Sequence, residues 1–142
     1  MNKLVECIFI PHSRMGQLKT SDPCSYIKPS VRIDLTDDVT IGVGVIISEQ
    51  TLIYTHEHYH KEKGTTHLEM TNKLGVKHSP LTIGDDVYIG AGAMILEGCQ
   101  TLGKGCVIAA GSIVTKSVPS YAIWGGVPAS HIGNRPEWGE YN

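Results

Sequence analysis

Residues Ile83–Pro119 read IGDDVY IGAGAM ILEGCQ, then Thr101, then LGKGCV IAAGSI VTKSVP. Every six-residue block opens on an aliphatic side chain, and its fifth position is small or medium sized: Val87, Ala93, Cys99, Cys106, Ser112 and Val118. An amphipathic helix needs apolar residues at i, i+3, i+4 and i+7, and a half-buried strand needs alternation. A period of six fits neither. Glycine follows the opening aliphatic at Gly84, Gly90 and Gly103, and returns at the fourth position in Gly92, Gly98, Gly105 and Gly111. Very short strands joined by tight turns satisfy that spacing, with one aliphatic and one small side chain per strand pointing inward. Three blocks, about eighteen residues, close one triangular coil, and stacked coils bury a continuous core. The pattern predicts an all-β solenoid.

The same frame runs upstream from Leu35 as LTDDVT IGVGVI ISEQTL, ending at Ile53, with inward pairs Leu35/Val39, Ile41/Val45 and Ile47/Thr51. It then lapses into polar, charged sequence until Ile83. The separation of these two isoleucines is thirty, a multiple of six, so the insertion keeps the frame. An insertion of this length inside a compact domain is often functional. One slip occurs, from Ile95 to Leu102, and predicts a bulged turn near Gln100–Thr101. The expected organisation is a single domain over 1–142. Residues 1–30 form an atypical lead-in or cap, 31–119 a β-helix with an inserted loop at about 55–81, and 120–142 an irregular tail with Trp124 as its anchor.

The 142 residues carry a net charge of −2 and show no cluster or stripe of Lys or Arg, which argues against a nucleic-acid or polybasic membrane partner. Sixteen glycines and few aromatics suit a solenoid of turns. Cys99 and Cys106 occupy inward slots and read as reduced core residues, since a buried thiol packs as a small hydrophobe. No zinc-type cysteine pairing is present. The apolar run Leu4–Ile10 is too short and too interrupted for a signal sequence, and no segment approaches a membrane span, so a cytoplasmic, reducing location is expected.

Five of the seven histidines, His56, His58, His60, His67 and His78, lie in or beside the insertion. In an extended segment His56, His58 and His60 share one side. A solvated loop, a metal site and acid–base chemistry are all open from spacing alone. A zinc site needs ligands converging in tetrahedral array, and no second histidine lies within Ile83–Pro119, which weakens the metal reading. A general base needs one imidazole held beside an acceptor.

IGDDVYIGAGAMILEG, VIAAGSIVTKSVP and WGGVPASHI, in that order, resemble the carboxy-terminal signature of the hexapeptide-repeat acyltransferases, in the branch of the maltose, galactoside and other sugar O-acetyltransferases. The match covers Leu35 to about Ile132. The resemblance implies a left-handed parallel β-helix assembled as a homotrimer, with acetyl-CoA between adjacent subunits and no metal required. It implies a loop histidine as general base: five residues beyond Ile53 is His58, with His56 its competitor and His60 a weaker one. Ala91 and Ala110 match backbone contacts to acetyl-CoA, and Thr115 with Lys116 the pair near its nucleotide end. Asp34 and Tyr88 fall where the family meets the acceptor, Tyr88 standing where a Trp is frequent. The chain departs from the pattern at Ser130 and His131, where a basic residue usually follows G-x-P-A, leaving the CoA phosphates to Lys116, Arg135 or Lys104. No amino-terminal helical segment like that of the maltose and galactoside enzymes is evident.

The expected activity is direct transfer of an acetyl group to a hydroxyl of a sugar or related small acceptor in a ternary complex. The histidine takes the acceptor's proton while a turn N–H stabilises the oxyanion. No residue reads as a covalent nucleophile. The rivals are a non-catalytic β-helix binding or scaffold protein and a γ-class carbonic anhydrase-like zinc protein.

Overall fold

The computed structural model describes residues 8–10, 16–20, 25–60 and 63–136. The chain winds as a three-sided prism whose coils each lay one short strand on each of three faces. The first coil comprises β1 (Ile8–Ile10), β2 (Leu18–Thr20) and β3 (Tyr26–Ile27), and the second β4 (Arg32–Asp34), β5 (Val39–Ile41) and β6 (Ile46–Ile47). The third opens with β7 (Leu52–Ile53), departs through β8 (His56–His58), α1 (His67–Leu74) and β9 (Val76–His78), and resumes with β10 (Leu81–Ile83) and β11 (Tyr88–Ile89). The fourth is β12 (Met94–Ile95), β13 (Thr101–Leu102) and β14 (Val107–Ile108). Then come β15 (Ile113–Val114), β16 (Ala122–Gly126) and β17 (Ala129–Asn134). The first face is ordered β1-β4-β7-β12-β15, the second β2-β5-β10-β13 and the third β3-β6-β11-β14-β16-β17. Every pairing within these faces is parallel except β16 with β17. The repeat therefore starts before Leu35, because the lead-in already supplies a coil.

The core is a set of aliphatic ladders. Ile41, Ile83 and Leu102 stack inside the second face, Ile47, Ile89 and Ile108 inside the third, and Ile53, Ile95 and Val114 inside the first. All nine are buried, as are the six small or medium positions from Val87 to Val118. Two glycine roles alternate at the corners. A Cβ on Gly90 would lie 2.5 Å from the backbone nitrogen of Ala110, so the second position is glycine to let coils touch. The fourth position turns through positive φ, which Gly92 adopts at 68° and Asp86 and Gln50 tolerate at 56° and 60°. At the predicted slip, the corner before β13 has one extra residue, and Ser117 Oγ accepts from the N–H groups of both Gln100 (3.2 Å) and Thr101 (3.1 Å).

The three faces differ outside. The second shows Lys19, Thr40, Thr82 and Thr101 in register. The first shows Arg32 followed by Leu52, Met94 and Ile113, and the third Tyr26, Ile46, Tyr88, Val107 and Ile123. Apolar ribbons thus run down two faces and not the other. Beyond the last coil, β16 extends the third face beside β14 and β17 folds back along it, with Trp124 opposite His131 and packed on the core.

The insertion is more ordered than a loop. Strands β8 and β9 pair antiparallel, His56 opposite His78 and His58 opposite Val76. Between them α1 begins at a capping box: Glu69 N–H donates to Thr66 Oγ1 (3.2 Å), and Thr66 N–H donates to Glu69 Oε2 (2.8 Å). Such reciprocal capping satisfies donors that a helix start leaves open. Met70 is the residue of α1 that reaches the interior.

Candidate active site

The insertion leaves the prism at the edge between the first and second faces, and that edge carries a buried carboxylate. Asp34, at the end of β4, is 1% exposed. Its Oδ1 accepts from Thr36 N–H (3.0 Å) and Thr36 Oγ1 (2.7 Å), and its Oδ2 from Thr55 N–H at 3.0 Å. His56 Nδ1 stands 2.5 Å from Oδ2. Burial acts to raise the carboxyl's pKa, but the donors from Thr36, Thr55 and His56 together outweigh it and hold it below its ordinary 3.8. Asp34 is therefore an anion that only accepts, so Nδ1 of His56 carries the proton and Nε2 keeps the ring's lone pair. The His56 side chain is 15% exposed, close to the surface but held from beneath. Thr36 Oγ1 lies 3.2 Å from the same Nδ1. Thr55 Oγ1 donates to the main-chain oxygen of Asp34 (2.8 Å) and accepts from Asp37 N–H (2.9 Å), locking the corner.

His58 and His60 are exposed. His58 Nδ1 is 3.0 Å from Thr71 Oγ1 of α1, and its ring meets that of His56 edge-on at 5.4 Å. His60 Nδ1 donates to the His58 carbonyl (2.8 Å), its Nε2 is 3.4 Å from Glu57 Oε1, and its ring stands 6.3 Å from that of His67. His78 Nδ1 lies 3.8 Å from Asp37 Oδ2. Among the described residues, no three His, Cys, Asp or Glu side chains are grouped to hold a metal ion.

The other sequence-derived positions divide between edges. Ala91 and Ala110 are exposed one above the other at the corner between the third and first faces, tied by Gly111 N–H to the Ala91 carbonyl at 2.9 Å. A Cβ at Gly92 or Gly111 would meet nothing within 4 Å, so that edge is smooth and open. Thr115 and the exposed Lys116 follow β15 at the same edge as His56. Tyr88 faces out from the third face, 42% exposed, and Asp34 is buried beneath His56. Arg135 serves the fold: its Nη1 donates to Asp86 Oδ2 (2.8 Å) and to the Gly105 carbonyl (3.0 Å). Within one chain, then, His56 and the Ala91–Ala110 column stand on different edges of the prism. Thr36 and Thr55 did not stand out in the sequence. Asp34-x-Thr36 is the spacing of a side-chain-to-backbone turn and was a usable signal, whereas nothing local marks Thr55.

Residues 80–116 match the family described as the hexapeptide repeat of succinyl-transferase. A hexapeptide-repeat containing acetyltransferase from Vibrio cholerae superposes with a TM-score of 0.73 at 25% identity, covering 93% of this chain and 76% of that one. Residues 80–116 of this chain thus carry the hexapeptide repeat. The Vibrio protein has also been solved with acetyl coenzyme A. The N-acyltransferase AntD from Bacillus cereus, in complex with dTDP and 3-hydroxybutyryl-CoA, shares the fold with a TM-score of 0.71 at 20% identity, over 92% of this chain and 66% of its own. The 2,3,4,5-tetrahydropyridine-2,6-dicarboxylate N-acetyltransferase of Staphylococcus aureus is 52% identical over 59 residues, 42% of this chain. This hexapeptide-repeat chain spans about a quarter of the length of that curated relative (24%).

Proposed function

We propose that this protein transfers an acetyl group from acetyl-CoA to a hydroxyl of a small, sugar-like acceptor, with His56 as general base. The observation that carries the reading is the buried Asp34 carboxylate bonded to His56 Nδ1, which fixes the ring tautomer that accepts at Nε2. His58, the base that counting from Ile53 selects, has a Thr71 hydroxyl rather than a carboxylate behind it. In the proposed step Nε2 takes the hydroxyl proton as the acceptor oxygen bonds to the thioester carbonyl carbon. The carbon–sulfur bond then breaks, and the imidazolium returns the proton to the departing thiolate. A hydroxyl must lose its proton as it attacks and so depends on a base, whereas a neutral amine attacks unaided.

Donor binding is assigned to Ala91, Ala110, Thr115 and Lys116. The smooth Ala91–Ala110 edge suits an extended pantetheine chain, and Lys116 supplies charge for phosphate. Because that edge and His56 are separated within one chain, the site is completed by a neighbouring copy. We take the assembly as a homotrimer of left-handed coils associating through the apolar first and third faces, with Tyr88 of the third face lining the acceptor side. The half-exposed apolar side chains of these two faces suit association with a like surface.

The test is thiol release from acetyl-CoA with a panel of hydroxyl and amine acceptors. His56→Ala should lower kcat by about a hundredfold or more while acetyl-CoA still binds, and His58→Ala should change it far less. Equal rates for wild type and His56→Ala would end this reading. A second reading, transfer to an amine, is favoured by the 52% identity to the staphylococcal N-acetyltransferase. Turnover confined to amine acceptors would select it.

A further inference from the structure

Thr36 is fully buried, yet its hydroxyl lies between the two members of the Asp34–His56 pair. Oγ1 donates its one proton to Asp34 Oδ1 at 2.7 Å, which leaves its lone pairs toward His56 Nδ1 at 3.2 Å. The Nδ1 proton, directed at Asp34 Oδ2, is thus shared with a second oxygen that the same carboxylate orients. Thr36 N–H also bonds Oδ1, so residue 36 closes over one side of the carboxylate while Thr55 closes over the other. We propose that Thr36 is a positioning residue for the reaction, its hydroxyl fixing the Asp34 carboxylate and the His56 ring relative to each other. This inference rests on His56 being the base.

The chemistry explains why a hydroxyl and not merely a matching volume is needed. Valine would fill the same space but leave Oδ1 one donor short and Nδ1 one acceptor short in a buried corner, where unmet polar groups are costly. Nδ1 would then keep the Asp34 contact but lose the Thr36 oxygen that helps to fix the ring's rotation about Cβ–Cγ. The charged or titratable groups that face the ring among the described residues include His58 on its own strand, His78 opposite it on β9, and Asp37 beside His78. Residue 36 reaches the ring through its own contacts with Asp34 and with His56 Nδ1.

The experiment compares Thr36→Val and Thr36→Ser with wild type and His56→Ala. Thr36→Val should lower kcat by about tenfold, the worth of one hydrogen bond to a charged group, with the KM for acetyl-CoA unchanged. Thr36→Ser, which keeps the hydroxyl, should recover most of the rate. A readout independent of turnover is the downfield proton resonance of the His56 Nδ1–H, identified by its absence in His56→Ala. It should persist in wild type and Thr36→Ser and be broadened or lost in Thr36→Val. If Thr36→Val does not fold, Thr36→Ala is measured in its place. An unchanged resonance in the hydroxyl-less variant, or Thr36→Ser falling as far as Thr36→Val, would overturn the proposal. A resonance that behaves as expected beside a fully active His56→Ala would leave Thr36's hold intact and reject only the base assignment.

Discussion

At the scale of single residues, the balance at Asp34 is the most consequential. Its pKa is lowered on folding, so the unfolded state binds the proton more readily as pH falls through 3.8. The contribution is therefore present in full above that value and disappears below it. Urea unfolding of wild type and Asp34→Asn should differ by about 1–3 kcal/mol near neutrality, the cost of disturbing a buried charged hydrogen-bond set, with the gap narrowing as the pH is taken below 3.8. A gap independent of pH would mean that the carboxylate's charge contributes nothing. The two inward cysteines behave oppositely. Burial pushes Cys99 and Cys106 each up to about 12, so both stay protonated and unreactive in the folded protein. A thiol reagent should titrate them only after denaturant is added; fast labelling of either in the native state would contradict their placement in the core.

At the scale of elements, α1 shows where sequence patterning was readable and where it was masked. Thr66-His-Leu-Glu69 is a capping box in plain view, but the surrounding histidines and lysines carry no apolar period, and α1 buries only Met70. A helix with so little to bury is held by its cap and its tether. Thr66→Ala should cost about 1 kcal/mol, and because the solenoid does not rely on α1, the loss should appear in amide exchange of 67–74 and not in the main unfolding transition. Loss of global stability of that size would show that α1 is coupled to the core. The pairing of β8 with β9 was not legible in the sequence for a related reason. It joins segments about twenty residues apart whose side chains do not alternate in polarity, so nothing local announces the partner.

At the scale of the whole molecule, the six-residue period specified the inward ladders, the corner glycines and even the seven-residue slip, because each is a one-dimensional constraint repeated by stacking. The first coil was less visible since its spacings between strands are uneven, and Cys7 and Cys24 lie outside the described residues. Of the candidate site, Asp34 and His56 were legible as residues but not as a geometry. Asp34 and His56 are twenty-two positions apart, and only the closing of a coil brings them together. Stacking also makes the ladders cooperative, each rung contacting the coil on either side. Ile89→Ala, at the centre of the third face, should cost about 2–5 kcal/mol and lower the single unfolding midpoint of the entire solenoid; a separate early transition would show instead that coils melt independently. The coil that holds the insertion also has a consequence beyond stability. Ile53 and Ile83 occupy adjacent faces, just as residues six apart do elsewhere, so the inner ladders are indifferent to what the chain does between them. That junction is a socket. Descent can exchange or lengthen the plug while the ladders beneath are inherited unchanged.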